Sequence, residues 1–275
     1  MATGRKSLKD KMRTAMLTER IDVAGPEVAI FKFRPMDGEL FQFKAGQYAT
    51  LGLDVGDEFI PRAYSIASSP HTRDYLELYI NVINEGQLTP SIFKLRVGDE
   101  VYYMGPKGIF TLEKTETKRL LFVATGTGLA PYVSILRMLH DEQAAGRPQE
   151  RSITLVHGAR YTADLGYRWD LDGIARHQSL DFMYLPMVSR PEQDQFWTPE
   201  TGRGRVTELL KMLGEDSVDA ATPALAQDVD PQAVLQRLPR ESTAVFLCGN
   251  PDMITDVKEL LQLKGFSEIY TEEYW

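Results

Sequence analysis

At Leu120-Leu121-Phe122-Val123-Ala124-Thr125-Gly126-Thr127-Gly128-Leu129-Ala130-Pro131 the chain changes character. The stretch opens on an uninterrupted apolar run, as expected of a parallel strand buried on both faces. Two glycines follow, and Pro131 to Leu139 then repeats its apolar residues with a helical period. Proline suits the first turn of a helix, where its missing N–H would have had no partner. Strand, glycine loop and helix in this order are the layout of a dinucleotide site. There Gly126, Thr127 and Gly128 let phosphate approach main-chain donors. Further apolar runs at Ile153–Val156, Leu180–Leu185 and Ala244–Leu247 are separated by helical stretches, so a parallel α/β sheet is predicted. Asn250 and Pro251 read as the cap and first turn of a last helix, 252–264, and 266–270 as a final strand.

Upstream, residues 27–116 read as β-structure. Val28–Phe33 is strand-like, Asp37-Gly38 supplies a hairpin turn, and Gly46–Leu51 follows. Leu76, Leu78, Ile80 and Val82 alternate with Tyr75, Glu77, Tyr79 and Asn81 at a period of two. Turn signals at Gly56-Asp57, Gly98-Asp99 and Gly105-Pro106 complete the pattern of an antiparallel barrel. Within it lies Pro61-Arg62-Ala63-Tyr64-Ser65-Ile66-Ala67-Ser68-Ser69-Pro70. On a strand, Arg62 and Tyr64 point one way and Ser65 the other. A guanidinium fork for phosphate, a flat ring for stacking and a hydroxyl are what a flavin nucleotide needs. An ordinary strand with a surface arginine and a core tyrosine fits the same residues. The second ligand candidate is Gly86-Gln87-Leu88-Thr89-Pro90-Ser91, ahead of a short helix at Ser91–Leu95 whose first amides face an anion. The Thr89 hydroxyl serves equally as a plain helix cap.

The 275 residues, 43% hydrophobic and 25% charged, suit one large or two medium domains. No apolar run is long enough for a membrane span, and no signal-type segment opens the chain. A single cysteine excludes an internal disulfide and a four-cysteine cluster, and a cytoplasmic setting is expected. A net charge of −8 argues against general nucleic-acid binding. The first twenty residues are nonetheless basic, with Arg5, Lys6, Lys9, Lys11, Arg13 and Arg20. They read as a solvated tail or as a docking arm for an acidic partner. Residues 214–241 read as a polar insertion or long loop with some helix.

Three strand ends lead into arginine: His157-Gly158-Ala159-Arg160, Val188-Ser189-Arg190 and Gly202-Arg203-Gly204-Arg205. At one sheet edge they would form an anion pocket, which favours NADP over NAD. Sequence does not separate Arg203 from Arg205. Cys248 ends a buried strand where ligands bind in open sheets, although a packed small hydrophobe is the usual fate of such a cysteine.

The motifs Arg62-Ala63-Tyr64-Ser65, Gly126-Thr127-Gly128, Cys248-Gly249-Asn250-Pro251 and the ending Glu272-Glu273-Tyr274-Trp275 fall in one order. Together they resemble the ferredoxin–NADP reductase family over residues 20–275. The resemblance implies a two-domain fold. A basic arm, 1–20, precedes a six-stranded antiparallel β-barrel that binds FAD, 21–116. An NADP-binding α/β domain with a parallel sheet follows, 117–275. It implies that Arg62, Ala63, Tyr64, Ser65, Tyr79, Asn81, Gly86, Leu88, Thr89 and Trp275 contact FAD. It further implies that Gly126, Thr127, Gly128, Arg160, Arg190, Arg203, Arg205, Gly249, Asn250 and Met253 contact NADP. Ser65 would lie near flavin N5 and Cys248 beside the nicotinamide. Glu272 would orient Cys248 or the nicotinamide, or relay a proton, and Tyr274 would cover the flavin. The implied activity is hydride transfer between NADP(H) and FAD and single-electron exchange with ferredoxin or flavodoxin. No metal site and a monomer are expected. One alternative keeps the fold and changes the acceptor, an NADPH-dependent oxygenase reductase component or flavin reductase; another, of a different class, is a flavin-holding electron-transfer subunit or regulatory module without NADP activity.

Overall fold

The computed structural model describes residues 7–25, 27–178, 180–213 and 225–273. Ala15 and Leu17 are fully buried between partly exposed neighbours, and this alternation makes Arg13–Ala24 the first strand, β1. It forms an antiparallel hairpin with β2, Val28–Pro35. β3, Tyr48–Val55, turns at Gly56-Asp57 into β4, Glu58–Ser65, with Val55 opposite Glu58. β5 is Leu76–Asn81, a short helix α1 is Leu88–Ile92, and β6 is Glu100–Lys107. The sheet runs β4-β3-β6-β1-β2-β5. A bridge from Ile66, just past β4, to Leu78 of β5 joins its outer strands, and the Ala67 N–H donates to the Glu77 carbonyl at 2.9 Å. This closure removes the open edges and makes the barrel. Its core holds Leu17, Phe31, Phe33, Leu51, Leu78 and Tyr103, all fully buried.

Four local expectations are corrected. The basic segment is not an arm throughout, because the strand begins at Arg13. Arg13 pairs with Asp37, Lys9 with Asp54 and Arg20 with Asp22; Arg5 and Lys6 lie outside the described residues. Asp37-Gly38 is not a hairpin turn, since β2 pairs with β1 and β5 and not with β3. Gly105-Pro106 lies inside β6, where a register shift against β3 accommodates it. The short helix starts earlier than Ser91, because Thr89 Oγ1 accepts the Ile83 N–H at 2.8 Å and anchors the first turn to the preceding loop.

The remaining elements build the second sheet. They are β7 (Arg119–Thr125), α2 (Ala130–Ala144), β8 (Ser152–Ala159), α3 (Arg168–His177), β9 (Asp181–Val188) and β10 (Gly202–Arg203). After these come α4 (Val206–Leu210), α5 (Pro231–Arg237), β11 (Thr243–Cys248), α6 (Pro251–Leu263) and β12 (Glu268–Glu272). All neighbours are parallel, in the order β10-β9-β8-β7-β11-β12. The chain steps outward from β7 to β10, then returns to the other side of β7 as β11. The carboxyl ends of β7 and β11 therefore form the switch point at which open sheets bind ligands. The helix expected within residues 214–241 is α5; residues 214–224 lie outside the described residues.

Two compact units result. One takes in the chain up to Thr111 together with Ala130–Met138, the other Leu112–Leu129 and Leu139–Glu273. In the first, Glu77 departs from the alternation of β5: it is 2% exposed, on a face expected to be solvated. Arg137 of α2 explains its burial. Its guanidinium donates to Glu77 Oε1 at 2.5 Å and to the Ala67 carbonyl at 3.2 Å. Ser134 Oγ donates to the Ser68 carbonyl at 2.7 Å beside it. Removing one member of a buried pair leaves the other charge uncompensated. Arg137→Met is expected to lower unfolding free energy by about 3 kcal/mol. Arg137→Met with Glu77→Gln should lose less, and urea titration of the three proteins measures both. A single variant within about 0.5 kcal/mol of wild type contradicts the assignment.

Candidate functional site

Each unit carries its own cluster. In the barrel, Arg62, Ala63, Tyr64 and Ser65 lie on β4, and Tyr79 and Asn81 on β5, the two strands that close the barrel. Gly86, Leu88 and Thr89 belong to the turn and helix α1, which packs against β3 and β4. The Arg62 guanidinium is exposed and donates to the Pro61 carbonyl at 2.8 Å. Ser65 is buried opposite Tyr48. The Tyr64 hydroxyl is buried with no hydrogen-bond partner among the described residues. Burial drives its phenol well above the ordinary pKa, against the opposing pull of Arg62, so it remains a donor at neutral pH. An orphaned buried donor beside an exposed cation fits an oxygen-rich nucleotide cofactor. Tyr79 and Leu88 are buried, and Leu88 belongs to the barrel core. The Thr89 hydroxyl is already committed to the Ile83 backbone, so its role in the loop is structural.

In the second unit the glycine loop meets the crossover after β11 with no space to spare. A Cβ on Gly128 would lie 2.4 Å from the Cys248 carbonyl oxygen and 2.5 Å from Gly249 Cα. Gly249 has φ +142°, and a Cβ there would lie 2.3 Å from Thr125 Oγ1. That hydroxyl accepts the Asn250 N–H at 2.9 Å. Gly128 thus serves backbone packing, whereas Gly126, at φ +53°, has open space beside it. Asn250 caps α6 by accepting the Met253 N–H at 3.2 Å, so its side-chain oxygen is used internally. Met253 is buried. Cys248 is buried and stands opposite Glu272 in the β11–β12 register, which brings this pair together. Tyr274 and Trp275 lie outside the described residues.

Arg160, Arg190 and Arg203 follow or end the adjacent strands β8, β9 and β10, and Arg205 precedes α4. Ala159 pairs with Val188 and Val188 with Arg203, so all reach the same carboxyl edge. All four side chains are exposed, and none has an ion-pair partner among the described residues. Four uncommitted guanidinium groups at one edge suit a dianionic phosphate.

His157 does not join them. It is fully buried in β8, with Nδ1 3.0 Å from the Tyr184 hydroxyl and Nε2 unpartnered among the described residues. Burial lowers its pKa to about 3, so the ring is neutral in the folded protein. A folded-state pKa below the unfolded value gives stability that is complete above the unfolded pKa and lost as pH falls toward the folded one. The loss should begin near pH 6.5, at about 1.4 kcal/mol per pH unit relative to His157→Gln. Denaturant titrations of both proteins at pH 7.5, 6.5 and 5.5 measure it; a constant difference would contradict a buried neutral ring.

Comparison with known proteins matches one family model to the barrel and another to the parallel sheet. Residues 14–112 match the family model "Oxidoreductase FAD-binding domain" and residues 122–259 match "Oxidoreductase NAD-binding domain". The chain is 32% identical over 218 residues to a flavodoxin/ferredoxin–NADP reductase of Escherichia coli (strain K12), covering 78% of this chain and 77% of the relative. It is 34% identical over 143 residues to terephthalate 1,2-dioxygenase reductase component 1 of a Comamonas species, covering 52% of this chain and 40% of the relative. Its structure superposes on a ferredoxin NADP+ reductase from Neisseria gonorrhoeae, solved with bound FAD and NADP. The TM-score is 0.74 at 25% identity, covering 95% and 98% of the two chains. The barrel, the parallel sheet and these relatives together show that the chain belongs to the ferredoxin–NADP reductase family of FAD- and NAD(P)-binding oxidoreductases.

Proposed function

We propose that the protein transfers electrons between NADP(H) and a one-electron carrier, ferredoxin or flavodoxin, through FAD held by the barrel. The observation that carries this reading is the set of four exposed, uncommitted arginines at the carboxyl edge of the second sheet. FAD, when bound, supplies the chemistry that converts a two-electron hydride into single electrons. The chain supplies placement. Arg62 offers a fork to the cofactor's phosphate, and the Tyr64 hydroxyl donates to one of its oxygens. Ala63 lets the cofactor approach the strand closely. Tyr79, Asn81 and Gly86 shape its remaining surface, Leu88 and Thr89 anchor the helix α1 beside it, and Ser65 stands by the reacting edge. Gly126 and Thr127 admit the nucleotide's phosphates to main-chain donors at the switch point, with Gly128, Gly249, Asn250 and Met253 fixing that loop. Arg160, Arg190 and one or both of Arg203 and Arg205 hold the 2′-phosphate. Cys248 and Glu272 orient the nicotinamide. We assign residues 21–116 to FAD binding, with β1 adding residues 13–20, and 117–275 to NADP binding. Among the described residues no helix is long and apolar enough to cross a membrane; a cytoplasmic monomer is proposed.

A second reading rests on the oxygenase-reductase relative: the acceptor is a separate iron–sulfur component of an oxygenase. Turnover with NADPH and ferredoxin, flavodoxin, an oxygenase ferredoxin or free flavin separates the readings. Ferredoxin or flavodoxin should give the highest kcat/KM; activity with free flavin alone would refute the carrier assignment. Tyr64→Phe tests the barrel site. Removing an orphaned buried hydroxyl should leave FAD-free protein as stable as before or more so. Loss of one hydrogen bond to FAD should weaken its retention by roughly 1 kcal/mol. Unchanged retention in equilibrium dialysis would contradict Tyr64 as a cofactor donor.

A further inference from the structure

The two arginine-bearing loops after β8 and β9 are held to each other by more than the sheet. Past the strand ends the ladder continues for two hydrogen bonds. The Ser189 N–H donates to the Ala159 carbonyl at 3.0 Å and the Arg190 N–H to the Arg160 carbonyl at 3.2 Å. Beyond that point Asp194 takes over. Its Oδ2 accepts the Thr162 N–H across the gap at 2.6 Å, and its Oδ1 accepts the Phe196 N–H of its own loop at 3.0 Å. The Asp194 N–H closes the intervening 3-10 turn on the Pro191 carbonyl at 3.1 Å. A longer contact, from the Tyr161 hydroxyl to Gln193 Oε1 at 3.4 Å, lies beside it. The guanidinium groups of Arg160 and Arg190 have no ion-pair partner among the described residues, so only their backbones set where they start from.

We propose that Asp194 is a positioning residue for nucleotide selectivity: by stapling the Arg160 loop to the Arg190 loop, it fixes the spacing at which the two guanidinium groups converge on a 2′-phosphate. The inference rests on the NADP reading above. An acid in this neighbourhood is otherwise hard to explain, since a carboxylate repels phosphate and would favour a ribose hydroxyl. Both Asp194 oxygens, however, already accept backbone amides, which commits the side chain to the loops. The two roles predict opposite signs. If Asp194 acted by repulsion, removing it would tighten binding of a 2′-phosphate. If it acts by position, removing it weakens that binding, because a fork contact depends on geometry.

The test uses FAD-loaded protein and calorimetric titration with 2′,5′-ADP and with 5′-AMP, the second lacking the 2′-phosphate. Asp194→Ala should weaken 2′,5′-ADP by about tenfold and 5′-AMP by less than about twofold. The ratio of kcat/KM for NADPH over NADH should fall in parallel, with the change carried by KM for NADPH. Asp194→Asn keeps an acceptor for the Thr162 amide and should restore most of the selectivity. Thr162→Pro provides an independent check by deleting the donor, together with a side-chain hydroxyl that has no hydrogen-bond partner among the described residues. Tyr161 has φ −131° and ψ 161°, the extended conformation that proline accepts before it, and Thr162 opens a 3-10 turn where proline is tolerated. It should reproduce the Asp194→Ala result. Unchanged or tighter 2′,5′-ADP binding in both Asp194→Ala and Thr162→Pro overturns the inference. A wild-type protein that binds the two ligands equally overturns the NADP reading itself, and this inference with it.

Discussion

The second unit is organised by one close approach. The backbone after β7 and the backbone after β11 run so near each other that neither Gly128 nor Gly249 has room for a side chain. Thr125 secures the approach by accepting the Asn250 amide. This contact fixes the switch point of the sheet, and with it the start of α2, the start of α6 and the position of Cys248. A side chain at either glycine would push the two crossovers apart. It would separate the groups that a dinucleotide must reach together. Strand order then distributes the remaining site residues around this point, β8, β9 and β10 on one side and β12 on the other.

The barrel is governed by a different constraint. Its sheet has two outer strands, β4 and β5, and the short bridge at Ile66 and Leu78 turns them toward each other. Closure buries both faces of β5, which forces a solution for Glu77. Arg137 provides it at the cost of ordering a long side chain. Closure also gathers Tyr64, Ser65 and Tyr79 on neighbouring strands, although they are separated by a loop in sequence. The orphaned Tyr64 hydroxyl fits this arrangement: a buried donor without a protein partner is costly, and a cofactor oxygen would relieve it.

Much of this was legible in the sequence, for physical reasons. The apolar run at Leu120–Ala124 and the glycines after it announce a buried parallel strand and a tight turn. The alternation at Leu76–Asn81 announces a strand, although not that its polar face would be covered. What was not legible depended on pairing at a distance. β1 was hidden because Arg13, Glu19, Arg20 and Asp22 masked the short alternation at Ala15 and Leu17. Asp37-Gly38 has the composition of a hairpin turn, but which strand β2 pairs with is decided by barrel closure. His157 sits three residues from Arg160, yet strand alternation turns it into the interior beside Tyr184. Asp194 carries no motif, and only the fold shows that it crosses to the Thr162 amide.

One chain binds a flavin through its barrel and a nicotinamide nucleotide through its sheet. The most direct measurement is rapid anaerobic mixing of the FAD-loaded protein with NADPH and, separately, with NADH, following loss of oxidised flavin absorbance. Fast bleaching by NADPH and much slower bleaching by NADH are expected at equal concentration. No bleaching by NADPH, or equal rates with both, would contradict the proposed function.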